Sequence, residues 1–309
     1  MKFSIITPSF NRLTYLDDTI NSVLTQAGDF EIEYIIQDGG SGPELISILQ
    51  KWEDDISSGN FKPRCNKITF QWFSEKDNGM YDAINKGFSK ATGDIMAWIN
   101  TDDLYHPGAF SAASRIFLKF QNVGWITGIP NSFNKNGTTV GYDTFPAAYS
   151  KEFIKRGFYN VKFVEYGFNW IPQDCVFWRS SLWEKTGKSV DDTKMLAGDF
   201  YLWQKFAEHT DLVKVNAFLG GYRFHGDQFT ATTDDYQKEL PEVLNLPFGY
   251  KRLYKLLSSF PSLRKLIFNK RKGFPFISIL GLKWGWIVGT IVRWNHQKQD
   301  WILENKAII

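Results

Sequence analysis

Four short polar clusters in the first third of the chain carry residue types that chemistry needs. They are Thr7-Pro8-Ser9-Phe10-Asn11-Arg12, Asp38-Gly39-Gly40-Ser41, Asp77-Asn78-Gly79 and Asp102-Asp103. The paired carboxylates Asp102 and Asp103 are hard oxygen donors suited to Mg2+ or Mn2+. A cation held by so few protein ligands leaves room for a diphosphate. Taken singly, each cluster has a plainer reading: Asp-Gly-Gly-Ser is first a turn, and paired aspartates after a strand often cap the next helix. Other chemistries lack their residues. There is no Gly-x-x-x-x-Gly-Lys-Ser/Thr phosphate loop, no Gly-x-Gly-x-x-Gly fingerprint, no zinc spacing of Cys and His, and no Gly-x-Ser-x-Gly elbow. What is left is a nucleotide diphosphate held through a metal, with polar groups for base and ribose.

The stretches between the clusters explain why they belong together. Phe3 to Thr7 is an apolar run stopped by Pro8, which predicts a buried strand. Leu16, Ile20, Val23 and Leu24 recur at helical spacing and predict a helix capped by Asn11. Glu33 to Gln37 predicts a second strand, and Leu45, Ile48, Leu49 and Trp52 a second helix. Ile68 to Phe73 is the third strand, Tyr81 to Lys90 the third helix, and Ile95 to Ile99 the fourth strand. On the third helix Ala83, Ile84, Gly87 and Phe88 are expected to face inward. This cadence predicts an α/β domain with a mainly parallel sheet flanked by helices on both faces. Ligands of such sheets lie beyond the carboxyl ends of the strands, where all four clusters fall.

The chain has 309 residues, of which 43% are hydrophobic and 22% charged, so it is not disordered throughout. Two cysteines, Cys65 and Cys175, make no disulfide framework and favour a reducing, cytoplasmic setting. The first residues, Met1 to Pro8, lack the apolar core of a signal peptide, so export is not expected. The net charge of +3 conceals an asymmetry. Residues 1–242 hold 24 Lys/Arg against 31 Asp/Glu, and residues 243–309 hold 12 against 2. That divides the chain into an acidic body and a basic, aromatic tail suited to an anionic surface.

Residues 1–230 resemble a family 2 glycosyltransferase of GT-A fold, an inverting class that uses nucleotide-diphosphate sugars. The resemblance is carried by Ile5 to Arg12, Asp38 to Ser41, Ser74 to Gly87, Ala91-Thr92-Gly93-Asp94 leading to Asn100-Thr101-Asp102-Asp103, Gln173 to Arg179 and Gly198 to Trp203. The stretch Asp77-Asn78-Gly79-Met80-Tyr81-Asp82-Ala83-Ile84-Asn85-Lys86-Gly87 is similar to the bacterial branch that builds exopolysaccharide, colanic-acid-like or lipopolysaccharide chains. The resemblance implies a nucleotide-sugar-binding half, 1–104, and an acceptor half, 105–242. It also implies roles. Thr7, Pro8 and Ser9 would line the nucleobase pocket, with Arg12 near base or phosphates and Asp38, beside Gly39, on the uracil edge or ribose. Asp102 would contact the ribose or a metal-bound water, and Asp103 would hold Mg2+ or Mn2+. Asp77, Asp82 and Lys86 would face the sugar-phosphate, although Asp82 and Lys86 are also spaced for an ordinary i,i+4 ion pair.

An inverting transfer needs a base on the acceptor side. Asp199 matches the last acid of the family's acidic pair, while Gly198 stands where a second acid is common. Apolar Phe200, Leu202 and Trp203 follow Asp199 and would raise its pKa; helix capping is the alternative. His225 would complete the metal shell or meet the diphosphate, Arg223 would pair with a phosphate, and Gln173 would lie near the acceptor. The aromatic stretch from Tyr149 to Pro172 fits sugar stacking and core packing equally well. A nucleotidyltransferase of related fold and a non-catalytic scaffold stay open as other readings.

Residues 243–309 are expected to form a basic, amphipathic helical extension. Leu253, Leu256, Leu257 and Phe260 have helical spacing among Lys251, Arg252 and Lys255. From Phe274 to Val292 only Lys283 is charged, which is the lower limit of a membrane span. Burying Lys283 at the centre would cost about 2.5–3.5 kcal/mol. Gly281, Gly285 and Gly289 form small steps suited to helix contact and a homodimer. The expectation is peripheral or monotopic attachment to the cytoplasmic leaflet beside a glycan or polyprenyl-diphosphate-linked acceptor. The basic residues alternate with long aliphatics, so nucleic acid is not the expected partner.

Overall fold

The computed structural model describes residues 1–144, 147–166, 168–226, 233–241, 245–259 and 286–308. Its first half follows the sequence pattern closely. The order is β1 (Lys2–Ser9), α1 (Leu16–Leu24), β2 (Gly28–Asp38), α2 (Pro43–Ser57), β3 (Cys65–Ser74), α3 (Met80–Lys90) and β4 (Ile95–Trp98). The predicted apolar stripes are the buried ones on both α1 and α3. Asn11 does not cap α1. It sits in the left-handed region at φ 51, and its N–H donates to Ser41 Oγ at 2.7 Å. That bond ties the loop after β1 to the turn after β2.

The chain continues through β5 (Leu104–Tyr105), α4 (Ala109–Lys119), β6 (Trp125–Thr127), β7 (Asn131–Phe133), β8 (Thr139–Tyr142) and α5 (Lys151–Lys155). A 3-10 turn at Gln173–Cys175 leads into β9 (Val176–Arg179), then α6 (Ser180–Lys185) and α7 (Gly198–His209). β10 (Leu212–Val215), β11 (Gly220–Arg223), α8 (Thr233–Glu239) and α9 (Phe248–Ser259) follow. The last elements are β12 (Val288–Asn295) and β13 (Asp300–Ala307). Among the described residues the main sheet has nine strands in the order β13-β12-β10-β6-β9-β4-β1-β2-β3, and a second sheet has the order β5-β11-β7-β8. In the main sheet all strands but β9 and β13 run in one direction. Their carboxyl ends therefore open on one edge.

Aromatic side chains fill the space behind that edge. Trp98 on β4 stacks on Trp203 of α7 at 5.7 Å between ring centroids, and Trp178 and Trp125 close around them. The aromatics between Tyr149 and Pro172 are mostly core. Phe153, Phe158, Tyr159 and Phe168 are buried against one another and against Tyr250 of α9, whereas Trp170 is half exposed.

The C-terminal region departs from the expected helical extension. α9 forms, but its apolar face is buried in the body through Tyr250 and Leu253, with Lys251, Arg252 and Lys255 exposed. Residues 288–307 are a β-hairpin, and β12 extends the main sheet by pairing parallel with β10. The run 274–292 is thus not one helix. Its last residues, Val288, Thr290, Ile291 and Val292, are β-branched and favour the pleated, half-buried surface they occupy. Gly289 belongs to a strand and not to a helix contact: a Cβ there would stand 2.1 Å from the Tyr149 carbonyl oxygen. The expectations for Phe260 to Gly285, including Lys283, Gly281 and Gly285, lie outside the described residues. No helix among the described residues is long and apolar enough to cross a membrane.

Candidate active site

The strand ends β1, β2 and β3 are braced to one another before any ligand is considered. Thr7 is buried, its hydroxyl 2.9 Å from the Tyr34 hydroxyl, so its side chain faces the core and not a nucleobase. Pro8 is buried beside it, and Arg12 is exposed on the following loop. Ser9 carries a buried Oγ with no hydrogen-bond partner among the described residues. Asp38 is fully buried and heavily engaged. Its Oδ2 accepts from the Gly40 and Ser41 N–H groups at 3.1 and 2.8 Å and from Ser74 Oγ at 2.6 Å, and its Oδ1 accepts from Ser41 Oγ. Asp38 therefore shapes the turn after β2, and direct base reading is not the task its surroundings suit. Gly39 lies against the Asp77 carboxylate, and Asp77 in turn accepts from Gly79 N–H at 2.9 Å.

Asp82 and Lys86 form the i,i+4 ion pair that their spacing allows, at 3.2 Å. Asp82 also accepts from Asn78 N–H, and Lys86 donates to the Lys76 carbonyl at 2.9 Å. Together they clamp the loop from β3 to α3. Hydrogen bonds and the lysine charge hold the Asp82 pKa below its ordinary value although desolvation opposes them.

The structure places the two paired aspartates in different surroundings. Asp103 is buried; its Oδ1 accepts from the Arg223 N–H at 2.9 Å and its Oδ2 from the Asn100 amide at 3.2 Å. Burial, with Asp102 and Asp174 nearby, pushes its pKa well up. A group so enclosed is a buttress for the loop after β4. Asp102 instead meets His225, with Oδ2 3.0 Å from Nε2. Arg223 is fully buried and does not face a diphosphate. Its guanidinium donates to the carbonyls of Asp102 and Lys135 and to Asp18 Oδ2, and it stacks on the Tyr15 ring at 4.4 Å. Tyr15 also packs on the His225 ring at 4.8 Å between centroids, so Arg223 and Tyr15 orient the Asp102–His225 pair.

Asp102 and His225 are hydrogen-bonded to each other, and both are residue types that could ligate a divalent cation. Octahedral ligands about 2.1 Å from Mg2+ lie about 3 Å from their neighbours, which is the separation of these two donors. No group of three or more His, Cys, Asp or Glu among the described residues could hold a metal, so a cation here would share its remaining positions with its substrate and water. Asn100, after β4, with a buried Oδ1 that has no partner among the described residues, is a polar group that sequence reasoning did not single out.

Asp199 lies in the first turn of α7, half-buried, and its Oδ1 accepts from the Phe200 N–H at 2.8 Å. Burial pushes its pKa up to about 7, and the Glu239 charge adds to the rise. The helix start is brought to the carboxyl edge by Tyr81 of α3. The Tyr81 hydroxyl donates to the Leu196 carbonyl at 2.7 Å and accepts from the Asp199 N–H at 3.4 Å. This packing explains Gly198, since a Cβ there would lie 2.7 Å from the Tyr81 ring. A second acid at 198 and a tyrosine at 81 cannot share the space. Gln173 donates to the Trp98 carbonyl at 2.6 Å and so braces the end of β4. Next to it Asp174 is buried, with one carboxylate oxygen unpartnered among the described residues.

Comparison with known proteins agrees with this architecture. Among curated relatives, an uncharacterised glycosyltransferase of Rickettsia typhi is 24% identical and is covered over 72% of its length by 82% of this chain. An uncharacterised glycosyltransferase of Mycobacterium tuberculosis strain H37Rv is 35% identical over 33% of this chain. The matched stretch spans about a third of that relative's length, 34%. Among solved structures, residues 1–349 of TarS from S. aureus in complex with UDP-GlcNAc superpose with a TM-score of 0.54 at 15% identity, over 89% of this chain and 76% of that one. The shared architecture is the GT-A fold. The model for glycosyl transferase family 2 matches residues 4–178, from β1 into β9, and the chain belongs to that family.

Proposed function

We propose that this glycosyltransferase moves a sugar, with inversion, from a UDP-sugar to a hydroxyl of a glycan or lipid-linked acceptor in surface polysaccharide synthesis. The observation that carries the reading is Asp199, a carboxylate lifted to about 7 at the shared carboxyl edge. A base with that pKa is half ionised near neutral pH and strong enough to draw the proton from a sugar hydroxyl as it attacks. The acceptor oxygen bonds to the anomeric carbon, its proton passes to Asp199, and the nucleotide diphosphate departs from the opposite face. Asp102 and His225 would hold Mg2+ or Mn2+. Such a cation supplies charge stabilisation to the departing diphosphate. Ser9 and Asn100, at adjacent strand ends, have polar atoms without a partner among the described residues, which a nucleoside would satisfy. The UDP preference is supported by the UDP-GlcNAc and UDP complexes of the S. aureus neighbour. A panel of UDP-, GDP- and dTDP-sugars with Mg2+ or Mn2+, followed by thermal shift and diphosphate release, tests it. UDP-sugars should stabilise the protein and be turned over only with the cation; preference for another nucleotide would overturn the donor assignment.

Attachment to an anionic leaflet belongs to the same reading, supported by the exposed Lys251, Arg252 and Lys255 on α9 and the basic excess of 243–309. Each basic residue near such a surface contributes about 1 kcal/mol. Cutting the chain before α9 is a poor test, because β12 is part of the main sheet. Reversal of the three charges to glutamate leaves the sheet intact. The full chain should float with phosphatidylserine-containing liposomes and not with neutral ones, and the reversed variant should bind at least ten-fold more weakly. Equal flotation of both proteins would remove the role of α9.

A further inference from the structure

Glu239 ends α8, where the negative end of the helix dipole disfavours a carboxylate. Its placement is explained by what it touches. Oε1 accepts from the Met195 N–H at 2.9 Å, and Oε2 accepts from the Leu196 and Ala197 N–H groups at 3.1 and 2.8 Å. Three successive amides around one carboxylate form an anion-binding nest, and charge-assisted bonds of this kind are about twice as strong as neutral ones. The nest lies immediately before Gly198 and Asp199. Tyr81 grips the same loop from α3 through the Leu196 carbonyl, and Tyr201 of α7 donates to the Glu239 carbonyl at 2.7 Å. The loop is therefore held from two sides, by elements far apart in the chain.

We propose that Glu239 is a positioning residue for Asp199, fixing the 195–197 loop so that the carboxylate at the start of α7 is presented to the acceptor hydroxyl. The inference rests on the reading of Asp199 as the base. Glu239 also acts on Asp199 through its charge, which adds to the effect of burial in raising the Asp199 pKa. Among the described residues, Tyr81 from α3 and Tyr236 from α8 also face Asp199, both with pKa values pushed well up by burial. α5 and α6 also pack along α7, bringing Lys151, Glu152 and Lys155 and Glu184 and Lys185; of these, Glu152 pairs with Lys155, and Glu184 with Lys188.

Glu239→Gln is the informative variant. It keeps the side-chain size but turns an amide NH2 toward backbone donors and removes the charge. Hydrogen exchange at Met195, Leu196 and Ala197 should quicken by ten-fold or more. UDP release from UDP-glucose, UDP-galactose or UDP-GlcNAc, whichever the panel shows to be used, should slow at least ten-fold with donor KM unchanged. The same substitution added to Asp199→Asn should cost nothing further, because a positioning residue has no role once its target is gone. A readout without substrate is the pH at which the stability gained by Asp199→Asn levels off, about 7 with Glu239 present, which should move to lower pH once the Glu239 charge is gone. Unchanged exchange, rate and pH profile in Glu239→Gln, with Asp199→Asn inactive, would overturn the positioning role alone. A fully active Asp199→Asn would remove the base assignment and the positioning role together.

Discussion

Asp199→Asn should lower sugar transfer by about 10³-fold while the affinity for the nucleotide sugar stays within a factor of two. A positioned general base contributes about 10²–10⁴-fold, and asparagine preserves the shape and the Phe200 N–H contact while removing proton affinity. Kinetics with isothermal titration of the UDP-sugar separate the two quantities. Loss of donor binding in parallel with rate would assign Asp199 to the donor site. If Asp199 is the base, the wild-type rate should rise with pH through about 7, because a group pushed up to about 7 would have to lose its proton to act. Stability should move the opposite way. The native carboxyl holds its proton to higher pH than the unfolded one, whose ordinary value is 3.8, so ionisation destabilises the fold as pH rises between about 4 and 7. Asp199→Asn removes that penalty. Its melting temperature should exceed the wild type at pH 8, and the gain should shrink as pH falls from about 7 toward 4.

Asp102→Ala and Asp103→Ala should fail in different ways, although the residues are neighbours in sequence. Asp102 is paired with His225 at the open edge, and its loss should cut cation-dependent turnover by about 10²–10³-fold, the several kcal/mol that charge stabilisation of a leaving diphosphate supplies. Melting temperature should scarcely change. Removing the Asp103 carboxylate leaves the Arg223 N–H and the Asn100 amide without their acceptor in a buried place. An unmet buried donor costs about 1–3 kcal/mol, so Asp103→Ala should melt several degrees lower and keep its cation requirement. Titration of Mn2+ against rate, alongside calorimetry, distinguishes the two. A variant of Asp103 that folds normally but no longer responds to Mn2+ would return the metal to that residue.

The strand–helix cadence from β1 to β4 was readable because each element repeats a local period that burial enforces, and the four polar clusters mark where those periods stop. Residue type pointed to Asp102 and Asp103, and the family resemblance to Asp199 and His225, as candidates for chemistry. Orientation was not readable. Asp102 and Asp103 are equivalent in sequence, and what separates them is a bond from Asp103 to Arg223, 120 residues away, against the meeting of Asp102 with His225, 123 residues away. Arg223 and Asp38 offered charge suited to a ligand, yet the fold consumes both in its own hydrogen bonds, because a buried ionised group must be matched from whatever lies nearby. The C-terminal hairpin was hidden for a related reason. Hydropathy and glycine spacing suggested a helix, whereas β12 is a strand because β10 offers it a parallel edge. Period and residue type are local properties of the chain; which side chain faces water, a neighbour or a substrate is fixed by pairings between segments distant in sequence, and those exist only in the folded molecule.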